Sequence, residues 1–357
     1  MQRINVGVIG LGEVAQIIHL PILEALGERF AVAALCDVSP SLLALMGERY
    51  SVCPDRRYAD FRDLVRQPDL DAVFVLNSDE YHADCVIAAL QEGKHVLVEK
   101  PMCLAPSEAE AIIAARDAAG CQVMVGYMRR FAPAFLQAVK EVKALDKINY
   151  VRIRDIIGVN RLIIDQASAV HRPTDIPPAL QQERAARAAR LVREAIGDVS
   201  PLLFGAYRFL CGLNSHDLSA MRELIGFPQR VAAASVWNEG KFLTAIFEYD
   251  GYCAVLESGV DAQLRFDAQI EVYGTHRSIR IQYDTPYIRH LPTTLAITET
   301  VGDAFRETVT RPHFKDPYTH ELEHFHEVVT RGVDPKTTPE DFQEDLRLFG
   351  MIIEALR

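Results

Sequence analysis

The chain has 357 residues, enough for two hydrophobic cores, and its 49% hydrophobic and 24% charged residues are ordinary for a globular protein. A formal net charge of −11 argues against a general binder of nucleic acid or anionic membrane, both of which need basic surface. The seven cysteines include no Cys-x-x-Cys pair, so neither a disulfide framework nor a cysteine zinc site is suggested; with no leader-like start and no long apolar span, a cytoplasmic protein is expected.

The first part of the chain alternates strand and helix patterns. Ile4–Ile9 reads as a strand, Val14–Leu26 as a helix and Phe30–Val38 as a second strand. Ala72–Leu76 (strand), Tyr81–Gln91 (helix), His95–Val98 (strand), Ser107–Ala119 (helix) and Gln122–Val125 (strand) continue the series. This order predicts βαβ units around a doubly wound parallel sheet, over residues 1–147. From 148 to 357 the character is α+β, with an open, mainly antiparallel sheet. Val151–Ile157, Arg230–Trp237, Phe242–Tyr249, Cys253–Gly259, Gln269–Tyr273 and Ser278–Ile281 are strand-like, and Asn238-Glu239-Gly240 and Asp250-Gly251 mark tight turns. Two helices, about Thr319–Thr330 and Pro339–Leu356, close the chain and could pack back on the first domain.

Residues 158–200 stand apart as an insertion. Pro178–Ile196 within it should be helical, with Pro in the first turn and Gly197 at the end. Arg184, Arg187, Arg190 and Arg193 recur along it and read as a solvated face, partly balanced by the Glu183/Arg187 and Arg190/Glu194 pairs. The preceding polar stretch, His171–Asp175, is expected to border the substrate pocket, because long insertions near active sites tend to be binding loops.

Gly10-Leu11-Gly12-Glu13-Val14-Ala15 is a G-x-G-x-x-A turn between strand and helix. Gly10 permits the tight turn, Gly12 lets backbone approach a pyrophosphate, and Ala15 allows close helix–strand packing. The first amides of the helix, from Glu13 and Val14, would face the phosphates. Asp37 closes the second strand, where an acid binds the adenosine ribose hydroxyls. It would repel a 2′-phosphate, and Val38-Ser39 offers no arginine to hold one, so NAD is the expected cofactor.

Further motifs carry a resemblance. Gly93-Lys94-His95-Val96 leads into Glu99-Lys100-Pro101, and Val125-Gly126-Tyr127-Met128-Arg129-Arg130-Phe131-Ala132-Pro133 follows. Near the end stand Tyr318…Glu321-Leu322…Phe325 and Thr338-Pro339-Glu340-Asp341. Together these resemble the Gfo/Idh/MocA oxidoreductases (glucose–fructose oxidoreductase and inositol dehydrogenase type) over nearly the whole chain except about residues 158–200. The resemblance implies a Rossmann domain, a second domain whose open sheet mediates a homodimer or homotetramer, and a sugar-like or polyol-like substrate. It makes Lys100 the first catalytic candidate, since a carbinol cannot readily lose hydride unless its hydroxyl proton also leaves. His216 is the second. The family pattern Asp-x-x-x-His falls here on Gly212-Leu213-Asn214-Ser215-His216, with glycine in place of the acid.

Asn77-Ser78-Asp79 stands where the resembled family has Thr-Pro-Asn after the fourth strand, His82 matches the histidine that follows, and Asn77, Ser78 and His82, with Glu99 and Lys100, are expected near the cofactor. His82 itself is expected rather to cap or pack the helix it begins. Lys100, Tyr127, Arg129, Asn214, His216 and His171 are the expected substrate contacts. The string His320-Glu321-Leu322-Glu323-His324 matches HExxH, but it coincides with the family's terminal helix and has no evident third ligand, so no metal is expected. The reading is an NAD-dependent dehydrogenase acting on a secondary alcohol of a sugar, cyclitol or glycoside. Two alternatives are glycoside cleavage or isomerisation with internal recycling of the cofactor, and a noncatalytic NAD sensor.

Overall fold

The computed structural model describes residues 2–357, which divide into two compact units, neither continuous in sequence. The first holds the chain up to Gly126 together with Ser168–Gly197 and Glu321–Leu346. The second holds Tyr127–Ala167, Asp198–His320 and Arg347–Arg357. The division thus falls at Gly126/Tyr127 rather than after residue 147. The reason is local: the helix Pro133–Lys143 packs on strands of the second unit, and its Glu141 pairs with Arg277 at 2.9 Å.

In the first unit the strands are β1 (Ile4–Ile9), β2 (Phe30–Cys36), β3 (Arg57–Tyr58), β4 (Ala72–Val75), β5 (His95–Glu99) and β6 (Val123–Gly126). They form one parallel sheet in the order β3-β2-β1-β4-β5-β6. Helices connect successive strands, so the inner strands are covered on both faces. This is why β4, β5 and β6 read as unbroken apolar runs rather than alternating ones, and Ala72–Val75, Val96–Val98 and Val123–Val125 are fully buried. The order reverses between β1 and β4, and the crevice at the carboxyl ends of strands there is where such sheets bind ligands. The later segment completes this core. The Phe325 ring meets Phe74 edge-on at 5.4 Å, and Thr337 exchanges bonds with Val125 at 2.9 and 2.6 Å along the β6 edge.

In the second unit the strands are β7 (Ile148–Gly158), β8 (Arg230–Trp237), β9 (Phe242–Tyr249), β10 (Tyr252–Asp261), β11 (Phe266–Gly274), β12 (Arg277–Tyr283), β13 (Thr294–Val301) and β14 (Ala304–Thr310). Their order is β14-β13-β12-β11-β7-β10-β9-β8, antiparallel except where β7 meets β10. Residues alternate between faces with the strand period of two. Val151, Ile153, Leu256, Ile270, Val272, Ile279 and Ile281 point to the buried face. Arg152, Arg154, Glu257 and Asp267 point the other way and form half-exposed ion pairs at 2.8–3.4 Å. The helix Ser215–Ile225 packs against β7, which fixes the position of the buried His216. No helix among the described residues is long and apolar enough to cross a membrane.

Candidate functional site

At the carboxyl edge of the parallel sheet, Gly10 has φ +91°, and a Cβ there would collide with the backbone of Asn77. Only glycine lets the loop after β1 lie against the loop after β4. A Cβ on Gly12 would meet nothing within 4 Å, so the space above that backbone is open to an approaching phosphate. Glu13 and Val14 begin the helix, and Ala15 is fully buried against the sheet. Ala15–His19 then forms a π-turn, a distortion frequent at functional sites.

Asp37 stands one residue beyond β2. Its Oδ2 accepts the Leu11 amide at 2.7 Å and its Oδ1 accepts the Ser39 amide at 2.8 Å. Each oxygen keeps a further lone pair for a ribose hydroxyl. Burial raises the Asp37 carboxyl above the usual aspartate range, the Leu11 and Ser39 amides oppose this, and the Asp175 charge adds to it. On the loop after β4, the Asn77 Oδ1 is buried with no hydrogen-bond partner among the described residues. An open phosphate approach, a carboxylate with spare lone pairs and an unused buried acceptor fit a dinucleotide.

Lys100 follows β5 directly and is half-buried; its peptide bond to Pro101 is cis. Its amide donates to Glu99 Oε2 at 3.1 Å, while Glu99 Oε1 meets His19 Nε2 at 2.8 Å. The His82 ring lies 2.8 Å from the Pro101 carbonyl oxygen and 3.0 Å from that of Asn77. Glu99 and His82, both expected near the cofactor, spend polar atoms on protein partners. Both are buried with their polar atoms engaged by protein, and they hold the Lys100 turn and the Asn77 loop in place. His19, a lone histidine within an apolar helix pattern, gave no signal in the sequence.

The inserted segment is the largest departure from expectation. Residues Ser168–Gly197 belong with the first unit and dock along the loops just described. The His171 backbone exchanges two bonds with the Gln16 side chain, both 2.9 Å, so its main chain rather than its imidazole makes the contact. Arg172 pairs with Glu13 at 3.0 Å. Asp175 accepts from Ser39 Oγ at 2.6 Å and from the Ser41 amide at 2.9 Å, which lowers its carboxyl to about 2.

The helix Pro178–Ile196 continues across the same unit. Glu183 takes the Tyr81 hydroxyl, Arg187 pairs with Asp84 at 2.9 Å and stacks over Tyr81, and Glu194 takes the Ser107 hydroxyl. Arg187 is thus a docking residue rather than part of a solvated face, whereas Arg190 is exposed as expected. The Arg184 guanidinium reaches the Ser78 hydroxyl at 3.4 Å. Polar side chains along the segment find partners on the loops after β1, β2 and β4 and on the helices after β4 and β5, which is why it sits there; His171, expected as a substrate contact, anchors the segment through its backbone.

In the second unit, Arg129 is buried between two carboxylates, Asp155 at 3.0 Å and Asp217 at 2.5 Å. Asn214 donates to Ser258 Oγ at 2.7 Å and lies 3.4 Å from Asp217. Burial, then repulsion from Asp155, pushes the Asp217 carboxyl well above its usual range, while Arg129 draws it back. Tyr127 is likewise buried. Arg129 and Asn214, both expected as substrate contacts, thus spend donors on protein partners, while Arg129 Nε and Asn214 Oδ1 are buried without a hydrogen-bond partner among the described residues. His216 lies in the first turn of its helix, beside the π-turn Leu210–Asn214 that contains Gly212. Asp217 points away from it toward Arg129, as the differing directions of adjacent helical residues require. His324 of the HExxH string accepts the Lys336 amide at 3.2 Å.

Comparison with known proteins adds to this geometry. Residues 4–127 match the Gfo/Idh/MocA model, described as an oxidoreductase family with an NAD-binding Rossmann fold. The myo-inositol 2-dehydrogenase of Thermotoga maritima is 26% identical over 344 residues, covering 94% of this chain and 91% of that protein. The uncharacterised oxidoreductase YrbE of Bacillus subtilis is 23% identical over 346 residues, covering 95% and 90%. Among solved structures, an aldose–aldose oxidoreductase from Caulobacter crescentus superposes with a TM-score of 0.73 at 24% identity, covering 99% of this chain and 97% of that one. Apo scyllo-inositol dehydrogenase from Lactobacillus casei gives 0.72 at 20%, covering 99% and 96%; likeness at this level concerns the fold.

Proposed function

We propose, from the premise that this chain belongs to the Gfo/Idh/MocA oxidoreductases, that it is an NAD-dependent dehydrogenase of a secondary alcohol on a sugar, cyclitol or glycoside. The observation that carries the reading is the convergence of Gly10–Gly12, Asp37, Asn77 and Lys100 at the carboxyl ends of β1, β2, β4 and β5, about the switch point of one parallel sheet.

When bound, the nicotinamide supplies the hydride acceptor. The Gly10–Ala15 turn holds the pyrophosphate by backbone amides, and Asp37 takes the adenosine ribose hydroxyls. The Lys100 amine accepts the hydroxyl proton of the carbinol, so the carbon that gives up hydride becomes a carbonyl carbon and the proton ends on nitrogen. Glu99 and His19 fix the Lys100 backbone so that its side chain starts from one place. His216 is the second proton-carrying candidate. The outer face of the eight-stranded sheet is the proposed surface for a homodimer or homotetramer, and the free cysteines suit a reducing cytoplasm.

A second reading, redox-assisted cleavage or isomerisation with cofactor recycling, rests on Gly212, where the resembled pattern has an acid. Lys100→Ala tests the role assigned to the lysine. Turnover should fall by about 100-fold or more, the usual contribution of a general base, with NAD affinity little changed. Near-full turnover in that variant would remove Lys100 from the chemistry.

A further inference from the structure

Asp175 belongs to the inserted segment, yet its carboxylate sits on the residues that follow Asp37. It accepts from Ser39 Oγ at 2.6 Å and from the Ser41 amide at 2.9 Å. Ser39 is also the N-cap of the helix Pro40–Arg49, and its amide donates to Asp37 at 2.8 Å. Two carboxylates thus converge on one serine. The neighbouring hydroxyl of Ser41 lies 3.0 Å from that of Ser39, so a small cluster of donors surrounds the place that Asp175 occupies.

The chemistry of that place is specific. Asp37 is positioned for the adenosine ribose hydroxyls, and NADP differs from NAD by a phosphate on the 2′ oxygen. A 2′-phosphate would seek donors just past Asp37, at the start of the following helix, where the Ser39 hydroxyl, the Ser41 amide and the positive end of the helix dipole favour an anion. Here the chain places its own anion on those donors. A phosphate would have to displace Asp175 and would face repulsion from it and from Asp37, in a neighbourhood where Asp175 already raises the Asp37 carboxyl.

Asp175 is also held from both sides along the chain. His171 and Arg172 are fixed on Gln16 and Glu13, and Arg187 on Asp84. Its carboxylate is therefore a standing part of the site rather than a passing contact.

We infer that Asp175 is a cofactor-specificity residue, an anion contributed by the inserted segment that fills the 2′-phosphate position and excludes NADP. The inference rests on the NAD reading, and its test separates the two. Binding of NADH and of NADPH to the full-length protein is titrated for the wild type, Asp175→Ala and Asp175→Asn. Asn keeps one oxygen for the Ser41 amide and turns its NH2 toward Ser39 Oγ, which can accept, while the charge is removed. The wild type should prefer NADH.

Asp175→Ala should bind NADPH about tenfold more tightly, with NADH affinity changed much less. Asp175→Asn should shift the ratio in the same direction by a smaller factor. If the wild type prefers NADH but both variants keep its ratio, or lose affinity for both cofactors in equal measure, Asp175 is only an anchor and the inference is overturned while the NAD reading stands. If the wild type binds NADPH as tightly as NADH, both are overturned.

Discussion

At the scale of single residues, the side chains nearest the proposed chemistry are held by others that are buried. In the second unit, Arg129 is a single buried cation between Asp155 and Asp217. Removing one partner of a buried ionic group costs far more than the group contributes, because an uncompensated charge remains. Arg129→Met should therefore destabilise the protein by about 3–5 kcal/mol in denaturant unfolding. The deficit should also depend on pH. Asp217 has a folded pKa above its unfolded one, so it favours the fold while protonated and loses that contribution as pH rises through the folded value. The variant should recover part of its stability as pH is lowered from neutral toward the carboxylate range. A small, pH-independent loss would show that Arg129 is not the compensating charge. These roles were only partly legible in the sequence. Gly10, Gly12 and Asp37 announce themselves by spacing, and Lys100 by the flanking Glu99 and Pro101. Whether Arg129 or Asn214 faces a ligand or a carboxylate depends on partners far along the chain, Asp155, Asp217 and Ser258, which no local pattern names.

Among the elements, strands with strong apolar runs or clean alternation were readable almost to their ends. β13 and β14 were not. β14 is an exposed strand throughout most of its length, and Phe305-Arg306-Glu307-Thr308 presents no buried face to betray it. The inserted helix Pro178–Ile196 was legible from its proline start and glycine stop, but its docking was not, because Tyr81, Asp84 and Ser107 are distant in sequence. Since the segment lies along the cofactor loops, replacing this helix with a short Gly/Ser linker should free Asp175 and Arg172. We expect NADH affinity to fall by roughly tenfold, the scale of effect when a preorganised binding element loses its order. Unchanged NADH dissociation in a folded deletion variant, with only substrate KM raised, would return the segment to the substrate role that its sequence suggested.

For the whole molecule, the parallel order β3-β2-β1-β4-β5-β6 and the mainly antiparallel eight-stranded sheet agree with the fold class expected from alternation and motif order. The discontinuous make-up of the two units was not visible in advance, since it depends on where Ser168–Gly197 and Glu321–Leu346 find their partners. The central claim is that the assembled chain oxidises a carbinol with net reduction of NAD. The most direct measurement incubates the purified protein with NAD and a panel of cyclitols, aldoses and glycosides, following NADH and organic product together. NADH and a ketone or lactone appearing in equal amounts with at least one substrate is the result expected. Product formed without NADH would replace dehydrogenation by internal recycling, and cofactor binding with no product from any of the panel would contradict the account.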